Sequence, residues 1–169
     1  MSVAAPGRRC SNALGLSSSP AVYLFDFCSS EPYITLTLTS SPLAKILRFA
    51  PNQQALIINP PPGYINELGE LPEETTLVFE PHGKHPLVQL FIENSGDFKR
   101  LGTATLSAVE YDGIFWVCYP KRSSNVTTDL SRESMWDLFA GSGLRPVSQV
   151  SINQVWSAVR FRPIEKVGK

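Results

Sequence analysis

This chain lacks net charge, long apolar runs, a glycine-rich turn and a histidine cluster, and each lack removes a class of function. Fifteen basic side chains cancel fifteen acidic ones. A neutral chain has no overall field to draw in DNA, RNA or an anionic membrane. Its scattered cations, Lys121, Arg122, Arg160 and Arg162, read as solvated surface charge. No segment reaches the ~20 apolar residues that a membrane-spanning helix requires. Ala21–Phe27 is apolar but short, and Asp26 interrupts it. Arg8 and Arg9 precede that stretch, yet it has no clean apolar centre or cleavage site. The expected location is the cytoplasm, with no membrane and no nucleic acid as partner.

Cys10, Cys28 and Cys118 lack the paired spacing of a zinc site, and three is an odd number for a disulfide framework. Cys118 lies within IFWVCY, where a small apolar side chain packs well, so it is expected in the core. His82 and His85 flank Gly83 in PHGKHP with no Cys or carboxylate cluster beside them. They read as turn residues, and no metal is expected. With both histidines in one loop, a Ser-His-Asp triad has no base to place. What remains is ordinary globular composition, 43% apolar and 18% charged, in a chain of 169 residues. That length suits one domain with a real core.

The composition changes near Pro42. Residues 1–41 hold only Arg8, Arg9, Asp26 and Glu31 as charges and show no helical period. Glu31–Thr39, EPYITLTLT, alternates as an exposed strand does. The segment is either an added edge strand or a poorly ordered, peripheral extension, and we favour the extension. A fragment starting at residue 42 is then expected to melt nearly as the full chain does.

Beyond Pro42, strand and helix patterns alternate. Leu43–Ala50 reads as a short helix stopped by Pro51. Gln54–Asn59 is a continuous apolar run of the kind buried on both faces. Tyr64–Gly69 is a short helix, and Thr75–Glu80 and Leu87–Glu93 are strands. Ser95–Tyr111 is a helix with Ser95 as its cap, and Asp112–Gly113 turn into the strand Ile114–Tyr119. A helix capped by Thr128 or Asp129 runs to Ala140. Val147–Ile152 and Val155–Arg162 are separated only by Asn153 and Gln154, so they pair antiparallel. The expected fold is a three-layer, Rossmann-like α/β domain over 42–169, with a mostly parallel sheet and a C-terminal antiparallel hairpin. This order resembles the class I methyltransferase architecture.

A second resemblance rests on local segments. The turn Pro61-Pro62-Gly63, the run Trp116, Val117, Tyr119, Pro120, Lys121, the start Thr128-Asp129-Leu130 and the close Trp156, Ser157, Arg160, Phe161 occur in this order. They resemble a family of small bacterial proteins known only as a domain of unknown function. The likeness implies the same fold and carries no activity, cofactor or site residue.

In open α/β sheets ligands bind beyond the carboxyl ends of the strands. Two loops stand there. The first, NPPPGY, sits where a nucleotide or S-adenosylmethionine enzyme has a glycine-rich turn. Its prolines bring no N–H donors and only Gly63 is conformationally permissive. The usual cofactor grip is absent, and no cofactor is expected. Glu80, at a strand end, is a weak candidate for holding ribose hydroxyls. The second loop, YPKRSSNVTTD, gathers cations and hydroxyls before a helix. Lys121 and Arg122 supply charge for an anion, and Ser123, Ser124 and Thr128 supply neutral donors. Asp129 reads as a cap. Lys121 and Arg122 are expected at the surface, with little bearing on stability. Phe115, Trp116, Trp136 and Trp156 read as core packing rather than base-stacking groups.

Two functions fit. One is a non-catalytic or regulatory interaction protein on a degenerate Rossmann-like scaffold, with a protein partner. The other binds, or acts on, a small phosphate- or carboxylate-bearing ligand through Gly63, Lys121, Arg122, Ser123, Ser124 and Thr128. A filled carboxyl edge favours the first; a deep cleft lined by Lys121 and Gly63 favours the second.

Overall fold

The computed structural model describes residues 40–168. EPYITLTLT and everything before it lie outside the described residues. The first helix, α1, is Pro42–Ile46, and its first turn is set by Ser41, whose hydroxyl accepts from the Ala44 N–H at 3.0 Å. Ser41 also donates through its hydroxyl to the Leu68 carbonyl and through its N–H to the Glu70 carbonyl at 2.8 Å. Ser41, grouped by composition with the extension, is thus bound into the domain. The helix is shorter than the apolar pattern implies, because Arg48 takes a left-handed φ of 65° before Pro51 is reached.

The chain continues through β1 (Gln54–Ile58), α2 (Tyr64–Leu68), β2 (Thr76–Val78), β3 (His85–Phe91) and α3 (Ser95–Ala108). Then follow β4 (Val109–Pro120), α4 (Arg132–Leu138), β5 (Leu144–Ser151), β6 (Trp156–Pro163) and a 3₁₀ turn, Ile164–Lys166. The six strands form one sheet in the order β2-β1-β3-β4-β6-β5. β1 pairs parallel with β2 and β3, and β3 pairs parallel with β4. β6 runs antiparallel to both β4 and β5. β5 therefore points the same way as β1 to β4, and the last strand is inserted between β4 and β5. This is the mostly parallel Rossmann-like sheet with its antiparallel C-terminal hairpin.

Alternate residues of the central strands go to opposite faces. Leu56, Ile58, Val88, Leu90, Phe115, Val117 and Phe161 pack on one face with Phe98 and Leu101 of α3 and Met135 of α4. Ala55, Ile57, Leu87, Trp116, Cys118 and Ala158 pack on the other with Ala44, Leu47, Tyr64 and Leu68. Sheet strands are covered on both sides, which is why β1 and β3 read as unbroken apolar runs. Phe115 and Trp116 sit back to back. The Trp116 indole N–H donates to the Leu47 carbonyl at 2.9 Å, satisfying the backbone where α1 ends.

Several local expectations change. α3 is capped by Asn94, whose side chain accepts from the Asp97 N–H at 3.0 Å, and not by Ser95. It stops at Ala108, because the next residues already belong to β4. Asp112–Gly113 is therefore a kink inside a strand and not a turn before one. Asp112 has a φ of 58°, and its carboxylate takes Arg162 in two bonds, 2.9 and 2.8 Å. His82 is exposed, 3.8 Å from Glu80, whereas His85 opens β3 and is buried, so only His82 is a turn residue. Cys118 is fully buried, and burial pushes its thiol pKa well up. Among the described residues no helix is long and apolar enough to cross a membrane.

Trp116→Phe removes both ring volume and the donor to Leu47. Chemical denaturation is expected to show a loss of about 2–3 kcal/mol. A loss below about 0.5 kcal/mol would show that the indole bond does not hold α1 to the sheet.

Candidate functional site

The strand order reverses between β1 and β3, since β2 lies outside β1 while β3 and β4 lie on the other side. In sheets of this kind the crevice at that point is where a ligand enters. Here it is crossed. Asn59, at the end of β1 with a φ of 55°, donates its side-chain amide to the Phe91 carbonyl at the end of β3, 3.2 Å away. Behind that bond stands Tyr64, the first residue of α2. Its ring lies edge-on to Phe91 at 4.6 Å, and Phe91 lies edge-on to Trp156 at 5.3 Å. The Tyr64 hydroxyl donates to the Gln89 side chain at 2.7 Å. Burial is the main reason that the phenol pKa is raised far beyond its ordinary value. Tyr64 thus puts a hydrogen-bonded phenol into the buried core on the α1–α2 face of the sheet.

Gly63 precedes Tyr64 with a φ of 82°, a conformation that side-chain-bearing residues rarely adopt. A Cβ there would meet nothing within 4 Å. The glycine serves the turn into α2, and the space beside it is open.

The loop after β4 is braced from within. Lys121, half-buried, donates its ammonium to the Ser151 hydroxyl at 2.7 Å and to the Asn153 carbonyl. Its own N–H reaches the Val155 carbonyl at 2.7 Å. Ser124 returns to the Lys121 carbonyl through its hydroxyl at 2.6 Å. Thr128 donates to the Glu93 carbonyl at 2.6 Å and accepts from the Leu130 N–H at 3.0 Å. Arg122 and Ser123 are exposed. Lys121 and Thr128 therefore tie the loop to neighbouring segments and Ser124 closes it on itself, while Arg122 and Ser123 face solvent. Gly63 lies in a different loop.

Asn153 joins these two loops, and sequence reasoning treated it only as a hairpin residue. Its side-chain carbonyl accepts from the Val155 and Trp156 N–H groups at 2.8 and 2.7 Å, and its amide donates to the Glu67 carboxylate on α2. Lys121 meets its backbone carbonyl. The Asn-Gln pair at the hairpin turn was the available signal, since a short turn needs a side chain that bonds its own backbone.

Asp129 does not cap α4. Its carboxylate accepts from the Ser95 N–H and hydroxyl at 2.9 and 2.6 Å, so it ties this loop to the start of α3. Those bonds hold its carboxyl below the ordinary range. α4 is capped instead by Ser131, in a reciprocal box with Ser134 at 3.1 and 2.7 Å. Glu80 lies exposed beyond the end of β2. Among the described residues no three His, Cys, Asp or Glu side chains stand together as a metal site requires.

No family model and no curated protein matches the chain. Solved structures do show similarity in fold. A provisional type 11 methyltransferase from Sulfolobus solfataricus aligns at 8% identity over 69% of this chain and 88% of its own, with a TM-score of 0.46. The phosphoethanolamine N-methyltransferase 2 of Haemonchus contortus, with bound S-adenosyl-L-methionine, aligns at 15% identity and a TM-score of 0.49. The match covers 75% of this chain and 39% of that one. The fibrillarin pre-rRNA processing protein of Methanococcus jannaschii aligns at 13% identity over 72% and 73%, with a TM-score of 0.41. Overlaps this loose add nothing to the strand order itself.

Two outcomes follow for the braced loop. Lys121→Ala is expected to lower stability by about 1–2 kcal/mol, since it removes two charge-assisted bonds to the β5–β6 turn. Urea unfolding checks this, and an unchanged midpoint would return Lys121 to the solvated surface. Asp129 has a depressed folded pKa, so its contribution is present above the ordinary carboxylate value of 3.8 and is lost as pH falls through the folded value. Asp129→Asn should therefore melt lower than the wild type at neutral pH and show a shallower decline on acidification, as followed by thermal melts across acid pH.

Proposed function

We propose that this protein is a non-catalytic interaction or regulatory protein on a Rossmann-like scaffold whose carboxyl edge is closed. The observation that carries the reading is the Asn59–Phe91 bond between the ends of β1 and β3 at the switch point, backed by the buried Tyr64. A cofactor needs that space and needs backbone donors from the first loop, and Pro60, Pro61 and Pro62 supply none. Side chains elsewhere on the edge are occupied in joining α2, β4, β5 and α3 to one another. Trp136 and Ile164, each 47% exposed, support the interaction half of the reading. A cytoplasmic location belongs to the same reading and rests on the sequence.

A second reading is favoured by one observation: Arg122 and Ser123 stand exposed at the same edge. It is a small phosphate- or carboxylate-bearing ligand held there. Lys121 would bring to it one remaining N–H, since its ammonium is already bonded twice.

The test is calorimetry of the full chain with S-adenosylmethionine, NAD and ATP. No heat of binding is expected up to about 1 mM ligand, and a dissociation constant near 1 μM, about −8 kcal/mol, would overturn the scaffold reading.

A further inference from the structure

A largely buried arginine whose Nε has no partner among the described residues lies well away from the carboxyl edge. Arg160 sits in the middle of β6, opposite Trp116 of β4 and Ser148 of β5. It is only 9% exposed, and its Nε is buried with no hydrogen-bond partner among the described residues. Trp116 and Ala158 pack on the α1 face, and the pairing with Trp116 puts Arg160 on that face too. Arg48, Arg160 and Arg162 line a cavity of about 390 Å³ there, with Ser148 beside them.

The charges around this cavity do not balance. Among the described residues the carboxylate acting on Arg160 is Asp112, and Arg162 already holds both of its oxygens. Arg48 and Arg162 each oppose the charge on Arg160, which burial has already made costly. Leaving a buried guanidinium Nε without a partner is unfavourable, and like charges beside it raise the cost. A planar fork of N–H donors has one class of ligand that answers it in full. That is an oxyanion able to accept two parallel bonds.

We propose that Arg48 and Arg160, with Ser148 as a neutral donor, form a binding site for a phosphate group. The ligand is inorganic phosphate or a small molecule carrying one, since the cavity is larger than phosphate alone and is open to solvent. The position, on the α1 face between β5 and the end of α1, is separate from the edge where Rossmann-like sheets take their cofactors.

Inorganic phosphate is the probe, added to the full chain against sodium chloride of equal ionic strength. Phosphate is expected to raise the melting temperature in a saturable way, and calorimetry should fit a single site. Arg48→Gln keeps the side-chain stem and removes the charge. It should weaken phosphate binding at least about tenfold. It should also leave the phosphate-free melting temperature unchanged or raised, because it relieves repulsion on Arg160. A purely structural Arg48 would lower that temperature instead. Arg160→Lys keeps a charge but loses the fork, and it should lose phosphate affinity as well. The inference is overturned if phosphate acts no differently from chloride, or if Arg48→Gln binds phosphate as the wild type does. It is equally overturned if binding is lost in Arg122→Gln but kept in Arg48→Gln, which moves the anion to the carboxyl edge. It is overturned too if only an Asp26→Asn, Glu31→Gln variant binds phosphate, because the chain's own carboxylates would then be the partner.

Discussion

The central strands of this protein must be dry on both faces, and the rest of the structure follows from that demand. Phe115 and Trp116 are consecutive on β4, so they project in opposite directions. Each needs a covering layer. Phe115 finds it in the aromatic group with Phe139 and Phe161, under the α3–α4 side. Trp116 finds it in Leu47, Tyr64 and Leu68, on the α1–α2 side. Its indole N–H then has to be satisfied, and the carbonyl at the end of α1 does so. One side chain thereby sets where α1 stops and where Arg48 emerges.

The same demand shapes the carboxyl edge. A Rossmann-like enzyme leaves a crevice open between the first strand and the strand that starts the other half of the sheet. Here Tyr64, Phe91 and Trp156 form a row of edge-on rings in the core on the α1–α2 face. The polar groups at the strand ends are left with only one another. Asn59 reaches Phe91, Thr128 reaches Glu93, Asp129 reaches Ser95, and Lys121 reaches Ser151 and Asn153. Each bond joins segments far apart in the chain. The edge is a seam of long-range contacts. Unanswered charge collects elsewhere, beside Arg160, where β6 brings a polar residue to a face that the helices leave partly open.

The order of elements was plain in the sequence because periodicity is a local property. The apolar run Ala55–Ile58 and the 3.6-residue spacing of Phe98 and Leu101 report burial on two faces and on one. The two-residue gap at Asn153 and Gln154 forces an antiparallel hairpin whatever surrounds it. From these the mostly parallel sheet with its antiparallel end could be written down. So could the poverty of donors in NPPPGY, since proline lacks an N–H in any fold. Where β6 inserts was not legible. Hairpin geometry pairs β5 with β6 but does not say which of them meets β4.

The roles of the site residues were legible only as chemistry. Lys121, Thr128 and Asp129 were rightly seen as a cation, a donor and an acceptor, but their partners lie some 30 residues away. Asp129 could cap the next helix or bond Ser95, and a local rule favours the cap. The fold favours Ser95, because β3 and β4 lie side by side and bring those loops together. Arg160 reads as surface charge, since an arginine in an alternating strand usually faces water. The opposing Trp116 and Ser148 put it on a half-covered face instead. Propensity and period act between neighbours in the chain, so they set which elements form. Hydrogen-bond partners and burial act between neighbours in space, and only the packed sheet brings those together.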